Sequence, residues 1–102
     1  ILKGKVRRFP NNKEYKIPQI GWNSIKVRQD SRLFNGIADD SYVYFVHSYY
    51  LDAENEDVVA AKTDYIMEYH SAVESGNVYA CQFHPEKSSD VGLRILSNFA
   101  NI

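Results

Sequence analysis

Short apolar and aromatic runs, separated by turn-forming residues, make up most of the chain before its final segment. This pattern is typical of β-strands joined by hairpins. The run at residues 42–49 is aromatic and β-branched without clean polar alternation, and the run at 79–83 has the same character, so we expect both to be strands buried on both faces. The strands are predicted near residues 4–9, 14–17, 24–28, 42–49, 58–64 and 78–83.

The final segment follows a different period. Its apolar residues recur at spacings of three and four, which predicts an amphipathic helix: Val91, Ile95, Leu96 and Phe99. Ser89 or Asp90 is the predicted N-cap, and the helix is expected to pack on the sheet next to the strand that holds Phe83. A shorter helical turn is predicted near residues 32–34, just before Asn35 and a glycine.

The length of 102 residues fits one small domain or part of a larger one, and the apolar fraction of 44% is ordinary for a globular protein. The chain begins at Ile1 rather than at methionine and enters a strand-like stretch almost at once. We interpret residues 1–102 as a partial domain, its C-terminal portion, from a cut or processed chain.

Charge and cysteine usage narrow the possible partners. Twelve Lys and Arg residues stand against 13 Asp and Glu residues, a formal charge of −1, so the sequence predicts no binding to nucleic acid or to an anionic membrane. The lone Cys81 excludes an internal disulfide, and the chain has neither a secretory apolar region nor a run of 18 apolar residues. These features favour the cytoplasm.

The segment 82–88 carries the clearest chemistry. Pro85 disfavours helix for His84 and keeps the dipeptide extended, so His84 and Glu86 are predicted to project to the same side with their Cα atoms about 6–7 Å apart. At that distance the carboxylate can accept the proton of one imidazole nitrogen and leave the other as a general base. On spacing alone, an incidental pair on a loop is the favoured interpretation of the two residues.

A base needs a nucleophile, and Cys81 does not qualify. It lies three residues before His84 in an extended run, so the two side chains should point to opposite faces with Cα atoms about 10 Å apart. We interpret Cys81 as a small buried apolar residue. Ser88 and Ser89 lack the glycine-flanked elbow of an exposed serine nucleophile and are interpreted as caps of the final helix.

No cofactor or metal site is predicted. His47 lies within a buried strand and His70 in a polar stretch, and neither has a second ligand at metal spacing, so both are interpreted as structural histidines. The five glycines are scattered singly and form no phosphate-binding loop.

Three segments together resemble a known family. Residues 83–88, Phe-His-Pro-Glu-Lys-Ser, look like the C-terminal signature of class I, or triad, glutamine amidotransferases. Residues 18–23 and 45–50 resemble the Pro-His-Met-Gly-Trp-Asn and Phe-Val-His-Ser/Thr-Tyr boxes of the histidine-biosynthetic glutaminases within that family. Gln19 and Ile20 depart from the His and Met of the first box. The order and spacing of the boxes match across nearly the whole chain.

The resemblance implies the C-terminal, strand-rich half of a flavodoxin-like, three-layer α/β amidotransferase domain with one C-terminal helix. It implies a glutaminase subunit that hydrolyses glutamine and passes ammonia to a (β/α)8-barrel cyclase in a heterodimer, imidazole glycerol phosphate synthase. His84 would be the general base and acid, and Glu86 would orient it. The cysteine nucleophile would lie in the missing N-terminal half, so this chain alone is expected to be inactive. The residues implied to face the cyclase are Gly21, Trp22, Asn23, Tyr49 and Lys87.

Two other interpretations of the chain stay open. The first is a non-catalytic binding or scaffold module that kept the amidotransferase shape without a nucleophile. The second is a triad glutaminase of another pathway, against which the Gly-Trp-Asn box argues. Trp22 itself also fits a core or turn-packing aromatic.

Overall fold

An antiparallel sheet and one α-helix account for most of the ordered backbone. The computed structural model describes residues 4–11, 14–15, 17–76 and 78–101, and within these ranges every strand pairing is antiparallel. The strands are β1 (Gly4–Arg8), β2 (Gln19–Val27), β3 (Ser41–His47), β4 (Tyr49–Ala53), β5 (Val59–Tyr65), β6 (Met67–Ser75) and β7 (Val78–Cys81). Helix α1 spans Ser89–Ala100, and 3-10 turns lie at Glu56–Val58 and Pro85–Lys87. This is the strand-rich α/β arrangement with a C-terminal helix that the sequence predicts.

The order of the strands places β2 and β3 at one end of the sheet. The order is β1-β4-β6-β5-β2-β3, and β7 also pairs with β6. Strand β2 pairs with β3 from Gln19 to Ile25, whereas it pairs with β5 only at Lys26 and Val27. Most of the β2–β3 ribbon therefore extends beyond the ladder that joins β2 to the rest of the sheet.

The sequence predicted that strand β3 is buried on both faces, but only one of its faces is buried. Its side chains alternate, with Val43 and Phe45 in the core, while Tyr42 and Val46 on the other face are 60% and 41% exposed. Strand β7 departs from the prediction in the same way, since Ala80 is exposed. In an antiparallel sheet the two faces have different environments, and here the outward face is apolar as well, which hides the alternation in the sequence.

Other strand boundaries also differ from the predicted ones. Residues 14, 15 and 17 form bends rather than the predicted strand at 14–17, whose remaining residue 16 lies outside the described ranges. Strand β2 begins at Gln19 instead of residue 24, and β4 and β6 were not predicted. Strand β6 begins with Met67 and Glu68 exposed and carries several polar residues, so it lacks a periodic apolar signal. Its pairing with β4, β5 and β7 holds it in place.

The core lies between the inward face of the sheet and helix α1. The helix buries Gly92 and Ile95, while Leu93, Leu96 and Phe99 are exposed. Its N-cap is Ser88, which the sequence analysis interpreted as a cap together with Ser89; the predicted first choices, Ser89 and Asp90, lie inside the helix. The largest buried core side chains include Phe9, Ile25, Phe34, Val43, Phe45, Tyr69, Phe83 and Ile95.

Among the described residues, no helix has the length and apolar character needed to cross a membrane.

Candidate functional site

His84 and Glu86 form a hydrogen-bonded pair at the surface. His84 Nδ1 lies 2.9 Å from Glu86 Oε1, and both side chains are partly open to solvent. With the carboxylate accepting the Nδ1 proton, the imidazole holds the tautomer whose Nε2 is an acceptor. Nε2 makes no hydrogen bond to any residue in the described ranges. The pair therefore has the arrangement of a base and its orienting carboxylate.

A turn, rather than an extended strand, brings the two side chains together. His84 itself is extended, with φ −103° and ψ 98°, as Pro85 requires. Glu86, however, belongs to the 3-10 turn Pro85–Lys87 and not to an extended run. The predicted contact is present, but its cause is the turn that begins at Pro85.

The body of the fold positions this turn from two sides. Before it, Phe83 is buried in the core, with its ring centroid 5.8 Å from that of Phe45. At the turn, the backbone N–H of His84 donates to the carbonyl oxygen of Tyr44 in β3, at 2.9 Å. Beyond it, helix α1 begins. The His84–Glu86 pair is thus attached to the outer edge of β3.

The hydroxyl group of Ser88 plays a part that the sequence did not indicate. Ser88 occupies the N-cap position of α1, but its side chain makes no capping hydrogen bond. Its Oγ accepts a hydrogen bond from Tyr44 N at 3.0 Å and donates one to the carbonyl oxygen of His84 at 2.6 Å. A serine before a helix predicts a cap. The contact with β3 is long-range and has no local sequence signal.

Cys81 has the properties of a structural thiol. It is partly buried against the core, and burial raises the pKa of its thiol to about 12. The thiolate needed for nucleophilic attack is therefore scarce at neutral pH. Of the two serines that follow the His84–Glu86 pair, Ser88 is buried and Ser89 is exposed at the first turn of α1.

Both remaining histidines have structural partners, as predicted. His47 is buried, with Nδ1 2.8 Å from the carbonyl oxygen of Tyr49 and Nε2 2.7 Å from Gln19 Oε1 and 3.0 Å from the hydroxyl oxygen of Tyr69. Burial lowers the pKa of His47, opposed by the bond to Tyr49. His70 Nδ1 accepts a hydrogen bond from the backbone of Ala53. In the part of the chain that the structure describes, no three His, Cys, Asp or Glu side chains converge as metal ligands.

Trp22, one of the residues that the resemblance assigned to a partner surface, is exposed. Its side chain is 50% exposed on the outward face of β2, and its ring meets that of Tyr44 edge to face at a centroid distance of 5.8 Å. Gly21, directly before it, has φ +126°, a conformation that L side chains rarely adopt. The backbone conformation at Gly21 therefore determines the direction in which β2 continues to Trp22.

The other assigned residues are distributed more widely. The Asn23 amide donates to the carbonyl oxygen of Asp64 at 3.0 Å, so it bridges β2 to β5. Lys87 is exposed at the end of the 3-10 turn that carries Glu86. Tyr49 is also exposed, but it lies in β4, whose pairing partner at this position is Arg8 of β1. Because Trp22 packs on Tyr44, whose carbonyl oxygen binds His84, it lies close to the edge of β3 to which the His84 turn is attached.

The chain and its fold correspond to those of a known family. The family model for class-I glutamine amidotransferases matches residues 2–102, and the chain belongs to that family. The solved structure of a putative GMP synthase protein from Thermoplasma acidophilum shares the fold at a TM-score of 0.74, with 22% identity, over 96% of this chain and 47% of that one.

Similar curated proteins indicate a narrower group within this family. The imidazole glycerol phosphate synthase subunit HisH of Methanosarcina mazei is 51% identical over 104 aligned residues, and that of Methanosarcina barkeri is 49% identical. The HisH subunit of Methanocaldococcus jannaschii is 46% identical over 102 aligned residues. All of this chain is covered in each case, but only 50% of each relative. The chain spans about half the length of the curated relatives it matches.

Proposed function

We propose that this chain is the base-carrying part of a glutaminase that supplies ammonia for imidazole glycerol phosphate synthesis in histidine biosynthesis. The observation that carries the proposal is the 2.9 Å hydrogen bond between His84 Nδ1 and Glu86 Oε1. The identity of about half of all residues with HisH subunits supports the particular pathway. Residues 1–102 are, on this proposal, part of one amidotransferase domain.

On this proposal the catalytic residues are divided between this chain and the rest of the domain. A cysteine thiolate outside this chain attacks the side-chain amide carbon of glutamine, and the C–N bond breaks as ammonia leaves. His84 accepts the thiol proton and delivers it to the departing nitrogen. Water then attacks the thioester with His84 as base, which releases glutamate and restores the thiol. Glu86 holds the imidazole and stabilises its protonated form.

This division predicts that the chain alone does not hydrolyse glutamine. The only cysteine in the sequence is Cys81, and burial raises the pKa of its thiol to about 12. A base and an orienting carboxylate without a thiolate recover almost none of a nucleophilic mechanism.

The proposed partner is a (β/α)8-barrel cyclase, which would use the ammonia in a cytoplasmic heterodimer. The outward face of β2 and β3 suits such a contact because it is apolar, exposed and aromatic, a composition enriched at interface cores. It carries Ile20, Trp22, Tyr42 and Val46, and Ile20 pairs directly with Val46. Gly21, Asn23, Tyr49 and Lys87 complete the proposed interface.

The test separates the glutaminase step from the synthesis that consumes ammonia. In the complete subunit with its cyclase, His84→Ala is expected to abolish glutamine-dependent synthesis and to leave synthesis from added ammonium salts nearly intact. Glu86→Gln should lower the glutamine-dependent rate by roughly tenfold to a thousandfold, because it weakens imidazole orientation without removing the base.

Glu54→Gln is the matched control, since Glu54 is an exposed carboxylate outside the His84 turn. It should leave both rates unchanged. Loss of ammonia-dependent synthesis in His84→Ala to the same degree as glutamine-dependent synthesis would assign His84 a structural role and defeat the proposal.

A further inference from the structure

The Ser88 hydroxyl joins strand β3 to the turn that carries His84. Ser88 is completely buried. Its Oγ accepts from the N–H of Tyr44 at 3.0 Å and donates to the carbonyl oxygen of His84 at 2.6 Å. The N–H of His84 in turn donates to the carbonyl oxygen of Tyr44 at 2.9 Å. Three hydrogen bonds thus form a closed loop between Tyr44, His84 and Ser88.

These hydrogen bonds satisfy the backbone N–H and carbonyl groups of Tyr44 at the free edge of β3. Strand β3 is at the end of the strand order and has β2 on its other side. Backbone groups at a sheet edge otherwise pair with water or with another chain. At Tyr44, the carbonyl group pairs with the backbone of His84, while the N–H pairs with a side chain that holds the carbonyl of His84. Both backbone groups of His84 are therefore fixed relative to β3.

Helix α1 holds the same turn from the other side through Gly92. A Cβ atom at Gly92 would lie 1.8 Å from the carbonyl oxygen of Pro85 and 2.9 Å from Ser88 Cβ. The N–H of Gly92 donates to the carbonyl oxygen of Ser88 at 3.0 Å. Glycine is a poor helix former, so its presence in the first turns of a helix calls for a local reason. The close approach of the Pro85 carbonyl supplies that reason.

We infer that Ser88 and Gly92 are positioning residues for the glutaminase reaction, which together fix the His84–Glu86 pair at the distance from the rest of the domain that proton transfer requires. The inference rests on the proposed function. Neither residue touches the imidazole or the Glu86 carboxylate: they hold the backbone that carries both. The pair moves as a unit when this support is lost, so its internal hydrogen bond survives while its placement changes.

The first measurement is amide hydrogen exchange by NMR in the complete subunit. Ser88→Ala should accelerate exchange of the Tyr44 N–H at least about tenfold, because that donor loses its acceptor. Exchange of the His84 N–H should rise with it. Ser88→Cys keeps the size with a weaker acceptor and should fall between wild type and alanine. Ser89→Ala removes an exposed neighbouring hydroxyl and should change neither amide.

The second measurement is glutamine hydrolysis by the complete subunit. Ser88→Ala and Gly92→Ala should each lower kcat roughly tenfold to a hundredfold, since small displacements of a catalytic group have effects of that size. KM should stay within about twofold. The 15N shifts of the His84 ring should keep the wild-type tautomer in Ser88→Ala, whereas Glu86→Gln should change it. Leu93→Ala, at an exposed position of α1, is the control for Gly92→Ala.

The outcomes separate this inference from the proposed function. Faster Tyr44 exchange with a lower kcat and an unchanged tautomer supports the positioning role. An unchanged kcat in Ser88→Ala, a change in KM alone, or unchanged Tyr44 exchange overturns it. A wild-type subunit that does not hydrolyse glutamine defeats the proposed function instead. In that case exchange at Tyr44 and His84 still decides whether Ser88 holds the turn.

Discussion

At the scale of single residues, His84 and His47 show how the environment gives the same side-chain type a different role. His84 is partly exposed and has a carboxylate as its only side-chain partner in the described residues. His47 is enclosed by the rings of Phe9, Phe45 and Tyr69. The first environment leaves a nitrogen available for proton transfer, whereas the second uses both nitrogens for structure.

His47 should make stability depend on pH. Burial lowers its pKa below the ordinary value of 6.5, so folding favours the neutral imidazole. Below about pH 6.5 the unfolded chain binds a proton that the folded chain does not, and the free energy of unfolding should fall as the pH falls. The hydrogen bond to the Tyr49 carbonyl opposes this lowering of the pKa but is the smaller effect, and the other groups that face the imidazole, the Gln19 amide and the Tyr69 hydroxyl, are uncharged.

Urea unfolding between pH 5 and pH 8 tests this dependence. In His47→Gln the slope of unfolding free energy against pH should flatten by up to one proton relative to wild type. Parallel slopes in the two proteins would show that His47 does not cause the dependence.

The sequence predicted the His84–Glu86 pair but not the group that holds it. Two residues separated by a proline are a local pattern, and local patterns can be interpreted from one sequence. The contact of Ser88 with Tyr44 spans 44 positions and depends on the docking of the turn against β3. The same limit applies to Gln19, which differs from the family box and contacts His47 across the β2–β3 ladder.

At the scale of elements, a buried carboxylate holds the loop between β2 and β3 against β6. Glu74 is only 8% exposed and accepts hydrogen bonds from the Ser31 hydroxyl at 2.8 Å and from the Leu33 and Arg32 N–H groups at 3.1 and 3.3 Å. Arg28 Nη2 lies 3.4 Å away. A carboxylate with this set of donors is compensated for its burial.

Glu74→Ala should lower the free energy of unfolding by about 3 kcal/mol, because it leaves several donors without acceptors. Glu74→Gln keeps one acceptor and should lower it by about half as much. Urea denaturation measures both. The exposed Glu54 provides the control, since Glu54→Ala should change stability by less than about 0.5 kcal/mol. Equal effects of Glu74→Ala and Glu54→Ala would refute the anchoring role.

The element predictions failed where polar and apolar positions carried no period. Glu74 is a charged residue in a buried position, so the sequence of β6 did not resemble a strand. The predicted burial of β3 on both faces was wrong for the opposite reason, because Tyr42 and Val46 are apolar residues in exposed positions. Helix α1 succeeded because Val91 and Ile95 recur at the helical period on its inward face.

At the scale of the whole molecule, the sequence boxes identified the family although they mix buried residues such as Phe45 and Phe83 with exposed ones such as Trp22. The family model for class-I glutamine amidotransferases matches nearly the full chain. Which surfaces are covered in a larger assembly does not follow from periodicity. An apolar outward face has the same sequence pattern as a buried one, and only the structure shows that Trp22 and Tyr42 are exposed.

The last prediction connects this outward face with the proposed site. Trp22 is half-exposed and packs on Tyr44, and Tyr44 binds the backbone of His84. In the complete subunit, Trp22→Ala should raise the Kd for the cyclase at least about tenfold, since large aromatic residues dominate interface energetics. Glutamine hydrolysis should then be less well coupled to synthesis, while synthesis from ammonium salts stays unchanged at saturating cyclase.

Titration of the cyclase against the labelled subunit, with glutamate and product measured together, checks both quantities. Trp22→Phe keeps an aromatic ring and should retain most of the affinity. Val6→Ala removes an exposed apolar side chain from β1, at the other end of the strand order, and should change neither the Kd nor the ratio of product to glutamate. Equal effects of Trp22→Ala and Val6→Ala would show that the β2–β3 face is not the cyclase contact, because a specific interface must distinguish a residue inside it from one outside.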